Sequence, residues 1–254
     1  MGQKPKPLTH SLEHRRTWVR RRFGELGDTA LGRREDLALI VWPELERSYE
    51  VRGSTFTYRR LTDIEARAER VAEIFRRGAD EMVGNPEIEW HQDPRGLVER
   101  TRTGEWGLYG IFLGNELIGA ESLHLIRGDA AIEWVWACVD PPYRGRGAVR
   151  RAGEFNDLVV AQSGAELGLV WVVTTHRYTQ MAAEQAGYVP MGCLVGKRLY
   201  GGSDGRYYRH TLILYGKLYG EGKTHLQSWE SMTLTPQASR LVEVVRGMWK
   251  EASG

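Results

Sequence analysis

The residues from Val139 to Ala148 read Val-Asp-Pro-Pro-Tyr-Arg-Gly-Arg-Gly-Ala, between an apolar run, Ala130 to Val139, and a segment of helical pattern, Val149 to Ser163. A glycine-rich turn that opens onto a helix start is suited to hold an anion. The first amides of a helix lack intrahelical partners and the peptide dipoles favour negative charge there; the bare Gly145 and Gly147 let a diphosphate approach the main chain. An ordinary strand-to-helix turn has the same spacing, so the surroundings decide between the two. Acid–base candidates lie on the runs around it. Glu133 sits amid Ile132, Trp134, Val135 and Trp136, and a carboxylate in apolar company has a raised pKa suited to a base; the alternative is that it faces solvent or a structural arginine. Glu121 and His124 on the preceding run, and His176 at the end of the following one, are further candidates.

The elements that hold these residues follow from periodicity and turn chemistry. Ser11 to Leu26 predicts an amphipathic basic helix, with Arg15, Arg16, Arg20, Arg21 and Arg22 beside Leu12, Trp18, Val19 and Phe23. Leu37 to Trp42 and Ser48 to Val51 read as short strands, and Thr55 to Leu61 as a longer one. Thr62 is placed to cap a helix running to Arg77, with Ile64, Ala68, Val71, Ala72 and Phe75 at helical spacing. Gly78 to Asp93 reads as irregular and Pro94 to Thr101 as a short helix. Gly107 to Leu113 and Asn115 to Ile126 form a hairpin around Gly114-Asn115. After the glycine turn and its helix come a strand, Leu167 to Thr175, a helix, Thr179 to Ala186, a final strand, His210 to Leu218, and a tail helix, Thr235 to Trp249. Strict alternation on Ala130 to Val139 puts Trp134 and Trp136 on one face, where they could wall an apolar pocket or pack in the core.

Val-x-Pro-x-x-Arg-Gly-x-Gly resembles the acyl-CoA-binding motif of the GNAT N-acyltransferase superfamily, and the order of elements from Thr55 to Leu218 resembles that family's. Gly187-Tyr188 is similar to the Gly-Phe that opens its last hairpin. The motif counted from Arg144 takes Gly147 as its central glycine and finds Val149 where Gly or Ala is usual. The resemblance implies an α+β fold with a mixed, mostly antiparallel central sheet flanked by helices, spanning residues 54–220 between an N-terminal extension (1–53) and a C-terminal one (221–254). It implies an N-acetyltransferase-like enzyme in which an amine attacks the thioester of acetyl-CoA or another acyl-CoA as co-substrate, without a metal. The donor would pair with backbone near Cys138 and Val139, and its diphosphate would lie on Arg144, Gly145, Arg146, Gly147, Ala148 and Val149. Glu133 and His176 stand as catalytic candidates, and Trp134, Trp136 and Glu121 as acceptor contacts. The tyrosine that often protonates the departing thiolate falls at Ala183, with Tyr178 and Tyr188 as nearby substitutes.

Composition limits the alternatives. A formal net charge of +2 gives no general case for nucleic-acid binding, so a tRNA or carrier-protein donor rests on the basic segment 11–26 together with Val149 and the missing tyrosine. Modification of nucleic acid itself and a non-catalytic acyl-CoA-binding module are the other readings. Cys138 and Cys193 have no paired spacing, which argues against a disulfide framework or a zinc site. No apolar run reaches the ~18 residues of a membrane span, so a cytoplasmic protein with a small-molecule amine acceptor is expected, with the tail helix available for packing or a homodimer.

Overall fold

The computed structural model describes residues 39–78, 86–201, 204–224 and 226–253. The predicted basic helix 11–26 lies outside them. One sheet of eight strands organises the rest, in the order β1-β2-β3-β4-β5-β6-β8-β7: β1 Glu46–Val51, β2 Ser54–Arg60, β3 Trp106–Leu113, β4 Glu116–Ile126, β5 Ala131–Val139, β6 Leu167–Val173, β7 Val189–Gly201 and β8 Tyr207–Leu218. Neighbours are antiparallel except β5 and β6, which are parallel and joined through a helical crossover. The fold class is thus α+β with a mostly antiparallel sheet, as the sequence implies.

Helices cover both faces. On one lie α1, Ile64–Gly78, and α2, Pro94–Arg102. The apolar stripe of α1 buries Ile64, Ala68, Val71, Ala72, Ile74 and Phe75 against Leu97 of α2 and Leu108, Phe112, Ala120 and Trp136 of the sheet. Each large side chain enclosed in this way contributes about 1.5–3 kcal/mol. Helix α1 begins two residues after Thr62, and Asp63 holds Arg67 through both carboxylate oxygens, at 2.9 and 2.7 Å from Nε. Asp93 caps α2 by accepting from the amides of Arg95 and Gly96, and Pro94 supplies a first-turn residue that needs no acceptor. Between the two helices, Pro86–Gln92 forms a 3-10 turn.

On the opposite face lie α3, Ala152–Ser163, and α4, Tyr178–Gln185. They approach closely at Gly153, where a Cβ would come within 2.4 Å of the Ala182 carbonyl oxygen. Phe155 of α3 packs on Tyr58 of β2 and Tyr109 of β3. A last helix, α5, Pro236–Ser253, contacts β7.

Several local expectations are corrected. The described part of Leu37–Trp42 is not a strand; Ile40 and Trp42 are buried anchors, with Trp42 Nε1 donating to Gly104 O. The expected strand Ser48 to Val51 is present but begins earlier, at Glu46, and is the sheet's edge strand β1, paired along its length with β2. The long strand β7 is an addition to the predicted elements; Pro190, Gly192 and Gly196 broke its pattern. The glycine turn leads first into a 3-10 turn, Ala148–Arg151, and only then into α3.

Candidate functional site

The parallel strands β5 and β6 pair over four residues only, from Ala131 opposite Leu167 to Trp134 opposite Val170. Beyond that they part. Strand β6 continues in register with β8 through Val173, and β5 continues with β4 through Val139. The divergence starts at a β-bulge: Leu123 of β4 faces Trp134 and the next residue, Ser122, faces Trp136, so Val135 is an extra residue on β5. A bulge adds twist and bends its strand, which here turns β5 away from β6.

The bulge also breaks the alternation expected for the tryptophans. Trp134 points to the α3/α4 face, with its ring centroid 4.5 Å from that of Tyr188, whereas Trp136 points to the α1/α2 face, 4.8 Å from Phe75 and 5.3 Å from His91. They do not form one wall.

Backbone groups facing the gap follow from the β4–β5 ladder. The amide of Asp140 donates to Ile118 O at 2.8 Å, so Val139 and Gly119 are a non-hydrogen-bonded pair and the main-chain groups of Val139 point away from β4. Ala137, two residues earlier, is oriented alike. Cys138 is not: its main chain belongs to the β4 ladder and its Sγ donates to Ile74 O under α1. Of the two residues expected near a donor, Cys138 thus turns its main chain to β4, whereas Val139, with Ala137, turns its main chain to the gap. Arg144 is exposed and donates from Nε to Val139 O at 3.1 Å.

At the wide end of the gap is the glycine loop. Gly145 and Gly147 have φ of 78° and 90°, the left-handed region that a side chain disfavours. The backbone itself thus favours glycine at 145 and 147, and Val149, where counting from Arg144 expects a small residue, sits in the 3-10 turn and is 42% exposed. No backbone hydrogen bond is donated by the amides of Gly145, Arg146, Gly147, Ala148 or Val149 among the described residues. Asp140 anchors the start of the loop to α1 through Arg70, at 2.6 Å, and Arg77, at 3.1 Å. Arg146 lies over the Tyr143 ring, and Arg151 is engaged by Glu154.

Glu133 and Glu121 occupy opposite faces of the sheet. Glu133 is half-buried on the α1/α2 face, opposite His124 of β4 and Leu169 of β6, just before the strands part. Ile132 and Trp134, its apolar neighbours in sequence, point the other way, and its lateral neighbours are His124 and Leu169. Glu121 lies beneath α3 beside Tyr58, Tyr109 and Asn156. It is fully buried, neither carboxyl oxygen has a well-formed hydrogen bond among the described residues, and burial pushes its pKa up to about 8. Glu121 is thus enclosed within the protein, on the face of the sheet opposite Glu133.

His176 lies beyond the end of β6, half-buried in the turn before α4, its carbonyl accepting from Gln180 Nε2. It follows Leu169, the partner of Glu133, by seven residues, so the two catalytic candidates are not brought together. Neither substitute tyrosine is a ready acid. Tyr188 is buried, its hydroxyl bonded to that of Tyr219 at 2.9 Å and its pKa raised by burial, and Tyr178 is 76% exposed.

The α1/α2 face holds a cluster that sequence reasoning missed. His91 is completely buried, its Nε2 is 2.7 Å from Ser122 Oγ, and its ring stacks on Trp90 at 3.7 Å. Trp90 meets Trp106 edge-on, and Trp106 stacks on His124 at 4.3 Å, the cross-strand partner of Glu133. An isolated histidine in an irregular segment carried no periodic signal. Burial is the first reason His124 has a lowered pKa and favours the neutral ring.

No protein-family model matches the chain, and no curated protein matches it in sequence. Solved structures do. A ribosomal-protein-S5-alanine acetyltransferase from Vibrio fischeri superposes with a TM-score of 0.53 at 17% identity, over 68% of this chain and 96% of its own. An N-acetyltransferase from Staphylococcus aureus Mu50 gives 0.52 at 12%, over 64% and 98%. An acetyltransferase from Salmonella typhimurium, described as modifying the N-terminal serine of ribosomal protein L7/L12, gives 0.50 at 14%, over 68% and 99%. The chain has the GNAT fold. Within that fold the parted β5 and β6 and the loop from Tyr143 to Val149 lie side by side. Among the described residues, no cluster of His, Cys, Asp and Glu is placed to hold a metal, and no helix is long and apolar enough to cross a membrane.

Proposed function

We propose that the chain is an acyl-CoA-dependent N-acyltransferase that moves an acyl group, acetyl in the simplest case, onto the primary amine of a small acceptor. The observation that carries this reading is the run of undonated amides at residues 145–149, at the mouth of a gap where β5 and β6 cease to pair. Five such amides suit a diphosphate, and the gap-facing main chain of Ala137 and Val139 suits the amide groups of an extended thioester arm.

In this reading the acceptor approaches from the α1/α2 face. The Glu133 carboxylate takes a proton from the ammonium, directly or through a water, and the free amine attacks the thioester carbonyl carbon. A C–N bond forms, the nitrogen gives its second proton to water, and the C–S bond breaks to release a thiolate. An ordinary thiol has a pKa near 8.5, so the thiolate leaves at mildly basic pH without a dedicated acid, in keeping with Ala183 at the usual tyrosine position. Most of the rate advantage then comes from holding amine and carbonyl within attack distance.

A thermal-shift panel of CoA, acetyl-CoA and longer acyl-CoAs tests the donor. A ligand at 100 times its Kd stabilises by about 2.7 kcal/mol, so a clear rise in Tm is expected. No shift at millimolar concentration with any member of the panel overturns the proposal.

A further inference from the structure

The loop that would hold the diphosphate is fixed from below by the β1–β2 hairpin, which lies at the far side of the sheet from the gap. Arg52, at the tip of that hairpin, donates from its guanidinium to Gly145 O at 2.9 Å. Tyr58, on β2, donates its hydroxyl to Ala148 O. Val51 fills the space beneath Gly147, where a Cβ would come within 2.7 Å of Val51 Cγ1. Hairpin and loop are thus joined at three successive points.

The consequence follows from the planarity of the peptide. In a trans peptide the carbonyl of one residue and the amide N–H of the next point in opposite directions. Holding Gly145 O and Ala148 O down on the hairpin turns the N–H groups of Arg146 and Val149 outward, away from it. Those are two of the five amides that donate to no backbone acceptor. The tip itself is built for reach: Arg52 and Gly53 have φ of 53° and 75°, the pair of left-handed residues that a tight two-residue hairpin turn needs, and this projects the arginine beyond the strand ends. Tyr58 is locked by Tyr49 and Phe155, with ring centroids at 5.5 and 5.2 Å, so its hydroxyl is not free to follow a moving loop.

We propose that Arg52 and Tyr58 are positioning residues for the donor's diphosphate: the hairpin sets the direction of the loop amides before the donor arrives, and Arg52 adds a cation beside them. The inference rests on the acyl-CoA reading above. Pre-orientation removes an ordering cost from binding, so its loss weakens the donor and leaves the acceptor untouched.

The test uses full-length Tyr58→Phe, which keeps the ring packing and removes only the donated bond, together with Arg52→Ala and Arg52→Lys. CoA binding is read by calorimetry, and donor and acceptor KM are read separately. Tyr58→Phe and Arg52→Ala are each expected to bind CoA about tenfold more weakly, the effect of one misaligned hydrogen-bonding group. Donor KM rises in step while acceptor KM and kcat at saturating donor hold, and Arg52→Lys recovers part of the affinity. A merely structural role would lower Tm and leave CoA affinity unchanged, and that result overturns the proposal. Wild-type protein that binds no CoA overturns the acyl-CoA reading instead, so the two failures are distinguishable.

Discussion

Glu121 and Glu133 stand on neighbouring strands, face opposite sides of the sheet, and should answer pH differently. The Glu121 carboxyl, raised to about 8 by burial, keeps its proton in the folded protein at neutral pH, whereas the unfolded chain has released it above its ordinary value near 4.5. The folded state therefore binds more protons between these two values, and stability falls as pH rises from about 4.5 to about 8. Glu121→Gln should flatten that slope and raise Tm at pH 8, by about 2–4 °C for each kcal/mol recovered, in melting curves taken from pH 5 to 8. Glu133→Gln should leave CoA binding intact and lower kcat by about 10²–10⁴, with the acidic limb of the rate profile abolished. Sequence named both residues and could not sort them. Which face a carboxylate occupies depends on strand register, and Ile132 and Trp134, which gave Glu133 its apolar context in one dimension, lie behind it in three.

At the scale of elements, the bulge at Val135 does the most with the least. One extra residue sends Trp134 under α4 and Trp136 under α1, and it begins the divergence from β6. Deleting Val135 restores strict alternation and forces one half of β5 onto the wrong face. Misplacing one of the two tryptophans should cost about 3–5 kcal/mol, seen as a large fall in Tm, with CoA affinity lost even where the fold survives. An extra residue leaves no mark in a run as uniformly apolar as Trp134 to Val139, so alternation was the wrong rule there. By contrast α1 and α2 were plain from the spacing of Ile64, Ala68, Val71 and Phe75 and from Asp93-Pro94. The glycine loop was plain too, though sequence could not show that the left-handed backbone falls at Gly145 and Gly147.

For the whole molecule, the order strand, helix, helix, three strands, helix, strand, helix was legible because each crossover leaves its period in the chain. The integration of β1 and the length of β7 were not, since an edge strand with exposed polar residues or internal glycines carries little pattern. The resulting sheet is unevenly knit. Strands β1 to β5 form one block and β6, β8 and β7 another, and the four parallel residue pairs from Ala131–Leu167 to Trp134–Val170 are what the ladder supplies between them. Mechanically this is a book with a short spine. A ligand threaded along the open edge would act as stitching, lending the missing rungs from its own amides, and the two covers should breathe less when it is in place. Deuterium uptake at the amides of Ala131 to Trp134 and Leu167 to Val170 is expected to slow with saturating CoA, far from the loop that grips its charged end; identical uptake with and without the ligand would mean the spine is stiff on its own.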